Sequence, residues 1–398
     1  MIARTAFLFL LFSFSFSLNA QKRAPASLEW GPEYNEPSNT FATKLIGLRP
    51  NGFYVLREKI LSNPEARQRA WVEFYDREMN MKKRVEQELK YKGKKRDFED
   101  VIFLGGQLYL LTSFNNSAKK KNYLFKQKIS MKSLIPSKKL EMICETEARN
   151  KEVEGTFDFH ISKDSSHLLL YNQLPYKKNE PERFGFRVFD QNFDLAWEKD
   201  IVLPFPDNQF TVEDYQVDDK GNVHLLGVLY KDGSKWRRRG NPTYQYIILS
   251  YSQNGEKEEE FRIDLADRFI TDLTFRVAKN GELICSGFYS ERGTYGIKGA
   301  FYMRLDPVTR EVKNRNSQPF EFDFLTEFMS ERNKKKARDA ERKNNAKRRA
   351  ELYDYSLDEL ILRSDGGAVL VAEQYYVQQE YYDTNPYGFY PYGYGYGY

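Results

Sequence analysis

The side chains best able to do chemistry in this sequence are few and scattered. Its three histidines, His160, His167 and His224, lack a Cys or carboxylate at the spacing of a zinc site, so each reads as structural or solvated. Serine-nucleophile, HExxH, phosphate-loop and dinucleotide motifs do not occur. No catalytic residue, metal ligand or cofactor is therefore assigned. The 57 Asp and Glu residues could include a carboxylate pair for glycan hydrolysis, but such a pair is made in space and has no sequence spacing.

The stronger signal is cationic. Lys119, Lys120 and Lys121 form one run, and Trp236, Arg237, Arg238 and Arg239 a second. Lys334, Lys335, Lys336, Arg338, Arg342, Lys343 and Arg348 lie in a third. Lys and Arg in this density draw anionic partners at rates that fall with salt. A solvated face is the plainer reading of any charge run. The third run belongs to a charged segment at 327–352 without Pro or Gly, whose alanines predict a helix. Its apolar residues make no sustained stripe, so it is expected to stand in water until a partner arrives.

These clusters must be positioned by strands. Turn pairs at Asn51-Gly52, Gly105-Gly106, Asp164-Ser165, Lys220-Gly221, Asn280-Gly281 and Asp365-Gly366 recur at roughly 55–60 residues once the 327–352 segment is set aside. A nearly all-apolar run follows each turn, at 53–60, 107–114, 167–174, 222–230, 282–289 and 368–376. Third runs at 71–76, 184–190 and 299–306 end in Asp. In the fullest unit, 211–265, four strands are separated by Gly-containing turns and a basic loop. Such repetition predicts an all-β chain: a β-propeller of about six four-stranded blades, five complete and the sixth incomplete, with one charged helical insertion. The units are expected near 41–97, 98–154, 155–209, 210–269, 270–326 and 354–398, as a single domain over 21–398. A sandwich, or several small β domains, is the alternative. For the sixth unit, either residues 27–34 supply a closing strand or the chain ends inside a loop. Residues 377–398 are a Tyr/Gly-rich low-complexity tail.

In an up-and-down blade, the loops joining second to third strands share a face with the connections between blades. These segments and the insertion hold a large basic excess, although the chain carries only +5. The remainder must be acidic. The protein is thus expected to be a strong dipole with a basic, aromatic side.

Arg4, the apolar run at 7–18 and Asn19-Ala20 before Gln21 predict a secretory signal over residues 1–20. The run is shorter than the ~20 residues needed to cross a bilayer. The protein is therefore expected in the periplasm, at the outer membrane or outside the cell. Its two cysteines, Cys144 and Cys285, fall in different units and read as isolated thiols. The signal's Asn19-Ala20-Gln21, the strand at 197–205 and the segment at 364–376 resemble secreted, propeller-like proteins of Bacteroidota. That resemblance implies a fold and export, with no activity or site residue.

Two functions from different classes follow. The first is an exported, non-catalytic binding or scaffold protein of the cell envelope. It would meet acidic polysaccharide, lipid headgroups or an acidic protein through its basic face, nucleic acid being disfavoured by export. The alternative is a propeller-type glycan hydrolase with carboxylates around the channel.

Overall fold

Leu225 and Leu226 are neighbours in one strand, yet each is completely buried on a different side. Successive strand residues point to opposite faces, so both faces of that sheet are covered. This sets the architecture of the whole chain. The computed structural model describes residues 30–59, 69–148, 155–175, 180–231, 243–266, 268–291, 296–306, 308–309, 311–345 and 348–374.

The first sheet is the antiparallel meander β1 (Thr40–Arg49), β2 (Gly52–Lys59), β3 (Ala70–Tyr75) and β4 (Met81–Glu86). A small hairpin, β5 (Lys90–Tyr91) with β6 (Lys94–Lys95), leads onward. The second sheet comprises β7 (Asp97–Leu104), β8 (Gln107–Asn116), β9 (Lys121–Ile129) and β10 (Glu141–Glu147). The third holds β11 (Phe157–Ile161), β12 (Leu168–Leu174), β13 (Pro181–Phe189) and β14 (Leu195–Pro206). The fourth holds β15 (Phe210–Val217), β16 (Val223–Tyr230), β17 (Tyr244–Ser252) and β18 (Lys257–Ile263). The fifth holds β19 (Phe269–Val277), β20 (Leu283–Ser290), β21 (Gly299–Leu305) and β22 (Val312–Pro319). Helices α1 (Phe322–Thr326) and α2 (Glu331–Arg342) precede a two-stranded sixth sheet, β23 (Tyr355–Leu362) with β24 (Ala368–Gln374).

Four separate cores lie between consecutive sheets. Leu56 and Val72 meet Leu108 and Leu110; Leu111 and Leu124 meet Leu168 and Leu170. Leu169 and Phe186 meet Leu225 and Ile247, and Leu226 and Ile248 meet Phe275 and Met303. The fifth sheet touches the sixth through Phe288 and Tyr355, with ring centroids 6.2 Å apart. Each fully buried Leu or Phe contributes about 1.5–3 kcal/mol, and the second strands supply them from both faces. The fold is all-β and propeller-like. Turn chemistry repeats with it: the Asp76, Asp190 and Asp306 carboxylates each accept backbone N–H groups two to four residues on, at 2.7–3.2 Å. Both cysteines are free and buried.

Two expectations are corrected. Helix α2 covers only Glu331–Arg342, and it does not stand in water. Its Ala337 and Ala340 are buried, Ala337 beside Leu325, Ala350 and Leu352. Glu341 meets Lys298 at 2.7 Å, while Arg349 meets Glu291 at 2.6 Å. Alanines make a stripe too thin to register as apolar, yet their size permits close approach to the fifth sheet's loops. The described part of the proposed closing strand, residues 30–34, forms no strand. Instead the Tyr34 hydroxyl donates to the Met79 carbonyl at 3.2 Å and accepts from the Met81 N–H at 2.7 Å, within the first sheet's rim. Residues 1–20, Trp236 to Arg239 and residues 377–398 lie outside the described residues.

Gly287 in β20 sits where a Cβ would come within 2.1 Å of the Asp272 carbonyl oxygen. Backbone cannot yield as a flexible side chain can. Gly287→Ala is expected to lower unfolding free energy by about 1–3 kcal/mol in a urea titration. An unchanged midpoint would mean that the inner strand here is free to shift.

Candidate active site

The first strands of successive sheets lie side by side, β1 with β7, β11 with β15 and β19 with β23. They form the inner edge of the stack. Five of them carry a register shift in the same region. It falls between Ala42 and Lys44, Phe98 and Asp100, Val212 and Asp214, Ile270 and Asp272, and Leu357 and Glu359. A bulge leaves one residue unpaired and re-aims its neighbours. The residue resuming the ladder is Lys44, Asp100, Asp214, Asp272 or Glu359, with Asp158 at the matching place of β11, opposite Tyr171. Asp100, Asp158 and Asp272 also share one conformation: Oδ1 accepts the next residue's N–H at 2.7, 2.7 and 2.9 Å. Six equivalent positions therefore bear five carboxylates and one ammonium.

Asp158 and Asp214 are the most differentiated pair. The Tyr215 hydroxyl donates to Asp158 Oδ2, so that carboxylate accepts from both a phenol and the Phe159 N–H. Tyr215 is itself held flat against Tyr171, centroids 4.7 Å apart and planes 9° from parallel. Burial pushes the Asp214 carboxyl above its ordinary range, and the nearby charge of Asp158 adds to that; the Gln216 amide, donating to Oδ2 at 2.9 Å, and Arg276 oppose it. The Arg276 guanidinium stands between sheets, 3.9 Å from Asp214 and 3.7 Å from Glu359.

Beyond this level, a cleft of about 300 Å³ opens among His160, Lys163, Gln216, Asp219, Arg276 and Glu359. Burial, with Arg276 adding, pushes His160 down to about 4. Its Nδ1 accepts the Val217 N–H at 3.2 Å, so neutral His160 carries its proton on Nε2. The cleft can thus offer donors from Arg276 and His160 beside acceptors from Glu359 and Asp219.

Around the second sheet the same positions are locked. Lys44 Nζ meets Asp100 Oδ2 at 2.5 Å. Glu99, the unpaired bulge residue, is pushed up to about 7 by burial, against a hydrogen bond from Ser113 and with Asp97 and Asp100 adding.

The basic residues singled out by sequence are dispersed in role. Lys119 and Lys120 are exposed in the β8–β9 turn, and Lys121 pairs with Glu145 at 2.5 Å. Lys334 pairs with Glu331 at 3.5 Å, and Arg338 lies over the Phe322 ring at 5.3 Å. Lys335 and Arg342 are exposed, whereas Lys336, Lys343 and Arg348 face a common cleft. His167 Nδ1 lies 2.8 Å from Ser166 Oγ, and buried His224 Nδ1 lies 2.7 Å from Ser250 Oγ. Burial pushes the Cys144 thiol up to about 11 and Cys285 up to about 12, so neither is a ready nucleophile. The inner-strand acids escaped the sequence reading. Their signal is an acid or Thr followed by a charged residue ahead of five of the six turns, as in Glu99-Asp100, Glu213-Asp214 and Thr271-Asp272, while Asp158 follows Phe157.

No protein-family model and no curated protein matches the sequence. Among solved structures, an α-L-arabinanase from Penicillium chrysogenum complexed with arabinobiose is 12% identical, with a TM-score of 0.37 over 68% of this chain and 78% of that one. A levansucrase from B. megaterium is 9% identical, with a TM-score of 0.33 over 68% and 83%. A prolyl oligopeptidase B from Galerina marginata is 10% identical, with a TM-score of 0.37 over 81% and 37%. At this degree of likeness no residue of those proteins is carried over. The expectation of a non-catalytic binding protein is corrected nonetheless. The inner-strand carboxylates give this chain its own reason to be read by the alternative.

Glu99 supplies a check on the inner edge. Its folded pKa lies above the ordinary 4.5, so the folded chain binds the extra proton. The stability linked to it is complete below that value and is lost as pH rises through about 7. Glu99→Gln is expected to flatten the fall in stability between about pH 5 and 8 by on the order of 2–3 kcal/mol. Parallel pH profiles for both proteins would place Glu99 in water.

Proposed function

We propose that this chain is an exported glycan hydrolase working through the inner-strand carboxylates, with Asp214 as general acid and Asp158 as its ionised partner. One observation carries the reading. Two carboxyls on adjacent strands, β11 and β15, are close enough for the charge of one to act on the other, and their surroundings treat them differently. Glycoside hydrolysis needs that asymmetry: one group must arrive protonated to release the leaving oxygen, and the other must be negative to meet an oxocarbenium-like transition state or its attacking water. Desolvation favours the proton on Asp214, whereas Asp158 accepts hydrogen bonds from the Tyr215 hydroxyl and the Phe159 N–H. Arg276, shared by Asp214 and Glu359, would receive sugar hydroxyls. The signal over residues 1–20 and the resemblance to secreted propeller-like proteins support export, which would place the site among polysaccharides.

The test is reducing-end release from a panel of polysaccharides by the mature protein and by Asp158→Asn and Asp214→Asn. Each substitution is expected to lower kcat by about 10²–10⁴-fold without altering the circular dichroism spectrum. Asp214→Asn should also remove the alkaline limb of the pH–rate profile, since it removes the group that must hold a proton. Equal rates in the two variants and the parent, or no cleavage of any glycan, would overturn the assignment.

A further inference from the structure

The insertion does more than cover the fifth sheet. Together with the segment that leads toward β23, it walls a cleft of about 690 Å³, within the roughly 300–1,000 Å³ range of small-molecule sites. Lys336 and Lys343 enter it from α2 and its end, Arg348 from the return segment, and Tyr353 from beyond it. Lys334 and Arg338 are occupied by Glu331 and the Phe322 ring. Lys336, Lys343 and Arg348, by contrast, have no ion-pair partner among the described residues. Asp339 and Glu351 also line the cleft, and Glu351 is engaged by the Ser290 hydroxyl at 2.9 Å. The cations therefore outnumber the acids.

The site is built rather than draped. Ala337 and Ala340 fix one wall by burial, and Arg349 ties the other through Glu291 at 2.6 Å and Glu341 at 3.3 Å. Glu341 in turn holds Lys298 of the fifth sheet at 2.7 Å. Three uncommitted cations are thus presented on a fixed frame, with a half-exposed Tyr beside them. Such a frame suits a ligand that alternates anionic groups with flat apolar patches. It suits a planar bilayer less, because the cations converge into a concavity.

We infer that this cleft binds the carboxylate or sulfate groups of an acidic polysaccharide, and so holds a chain whose cleavage occurs at the inner edge. The inference rests on the hydrolase reading for the class of ligand, and on the cleft for its charge. It gives the insertion a job in substrate choice: the cations select acidic over neutral glycans through charge-assisted hydrogen bonds.

The experiment uses the full chain carrying Asp214→Asn, so that binding is read without turnover. Polygalacturonate, dextran and phosphatidylglycerol vesicles serve as probes. Polygalacturonate is expected to bind more tightly than dextran and to be lost as salt rises. Adding Lys336→Gln, Lys343→Gln and Arg348→Gln together should weaken polygalacturonate at least about tenfold and leave dextran unchanged. All three side chains are exposed, so thermal melting should not move. Undiminished polygalacturonate binding by the triple variant, or tighter binding to vesicles than to polygalacturonate, would overturn the inference. Cleft-dependent binding with no cleavage by the parent chain would instead count against the hydrolase.

Discussion

Everything in this molecule depends on sheets burying both of their faces. A sheet in a sandwich has one wet side and can place polar residues there. A sheet held between two others cannot, so its central strands must be largely apolar and must pair most of the polar groups they bury, as His224 and Ser250 do. Leu108, Leu110 and Leu111 show the result within one strand, all fully buried and divided between two cores. Polar chemistry is thereby forced to the edges: the inner strands, the outer strands and the loops. The functional residues are found where the packing leaves them room.

The first sheet contains an exception that clarifies the rule. Arg57 in β2 and Glu73 in β3 are buried at positions that leucine or valine would normally take, and they meet at 2.7 Å. Arg84 reaches the same Glu73 oxygen at 2.5 Å, the Tyr75 hydroxyl donates to the other at 2.8 Å, and Glu36 joins Arg57 at 2.7 Å. A buried ion pair stabilises little against a hydrophobic substitute, because desolvation offsets the attraction; breaking one partner leaves a bare charge. Its value lies in location. Glu36 belongs to the segment before β1, so the network ties that segment to the first sheet, which has a described neighbour on one face only.

The strand-and-turn repeat was legible because it is local. An apolar run after a Gly-containing turn, and an Asp that accepts its own loop's N–H groups, are properties of a few adjacent residues. Asp76, Asp190 and Asp306 could be seen in the sequence for that reason. The docking of α2 was not legible, since Ala337 and Ala340 look like helix formers whether or not anything covers them. Nor was the set of inner-strand acids. Asp158 and Asp214 are separated by a whole sheet in sequence, and only the closeness of β11 to β15 makes them partners. A bulge leaves no letter of its own: Thr43, Glu99 and Asp358 share the geometry without sharing a side chain.

Repeating one bulge around an inner edge would be costly if every acid it presented were ionised and unpaired. Like charges in a poorly solvated space raise one another's pKa, and the chain answers in two ways. At the second sheet an ammonium is placed directly on the acid, Lys44 on Asp100, which fills one oxygen while the Val101 N–H fills the other. Burial nonetheless pushes the Asp100 carboxyl above its ordinary range, with Lys44 opposing. At the third and fourth sheets the cation is held back. Arg276 stays 3.9 Å from Asp214 and divides its charge with Glu359, and burial pushes that carboxyl above its ordinary range as well. The same backbone device thus yields two carboxyls that burial pushes up, distinguished by how closely a neighbouring cation approaches: directly on Asp100, held back from Asp214. That difference, rather than the number of acids, sets the third and fourth sheets apart from the second.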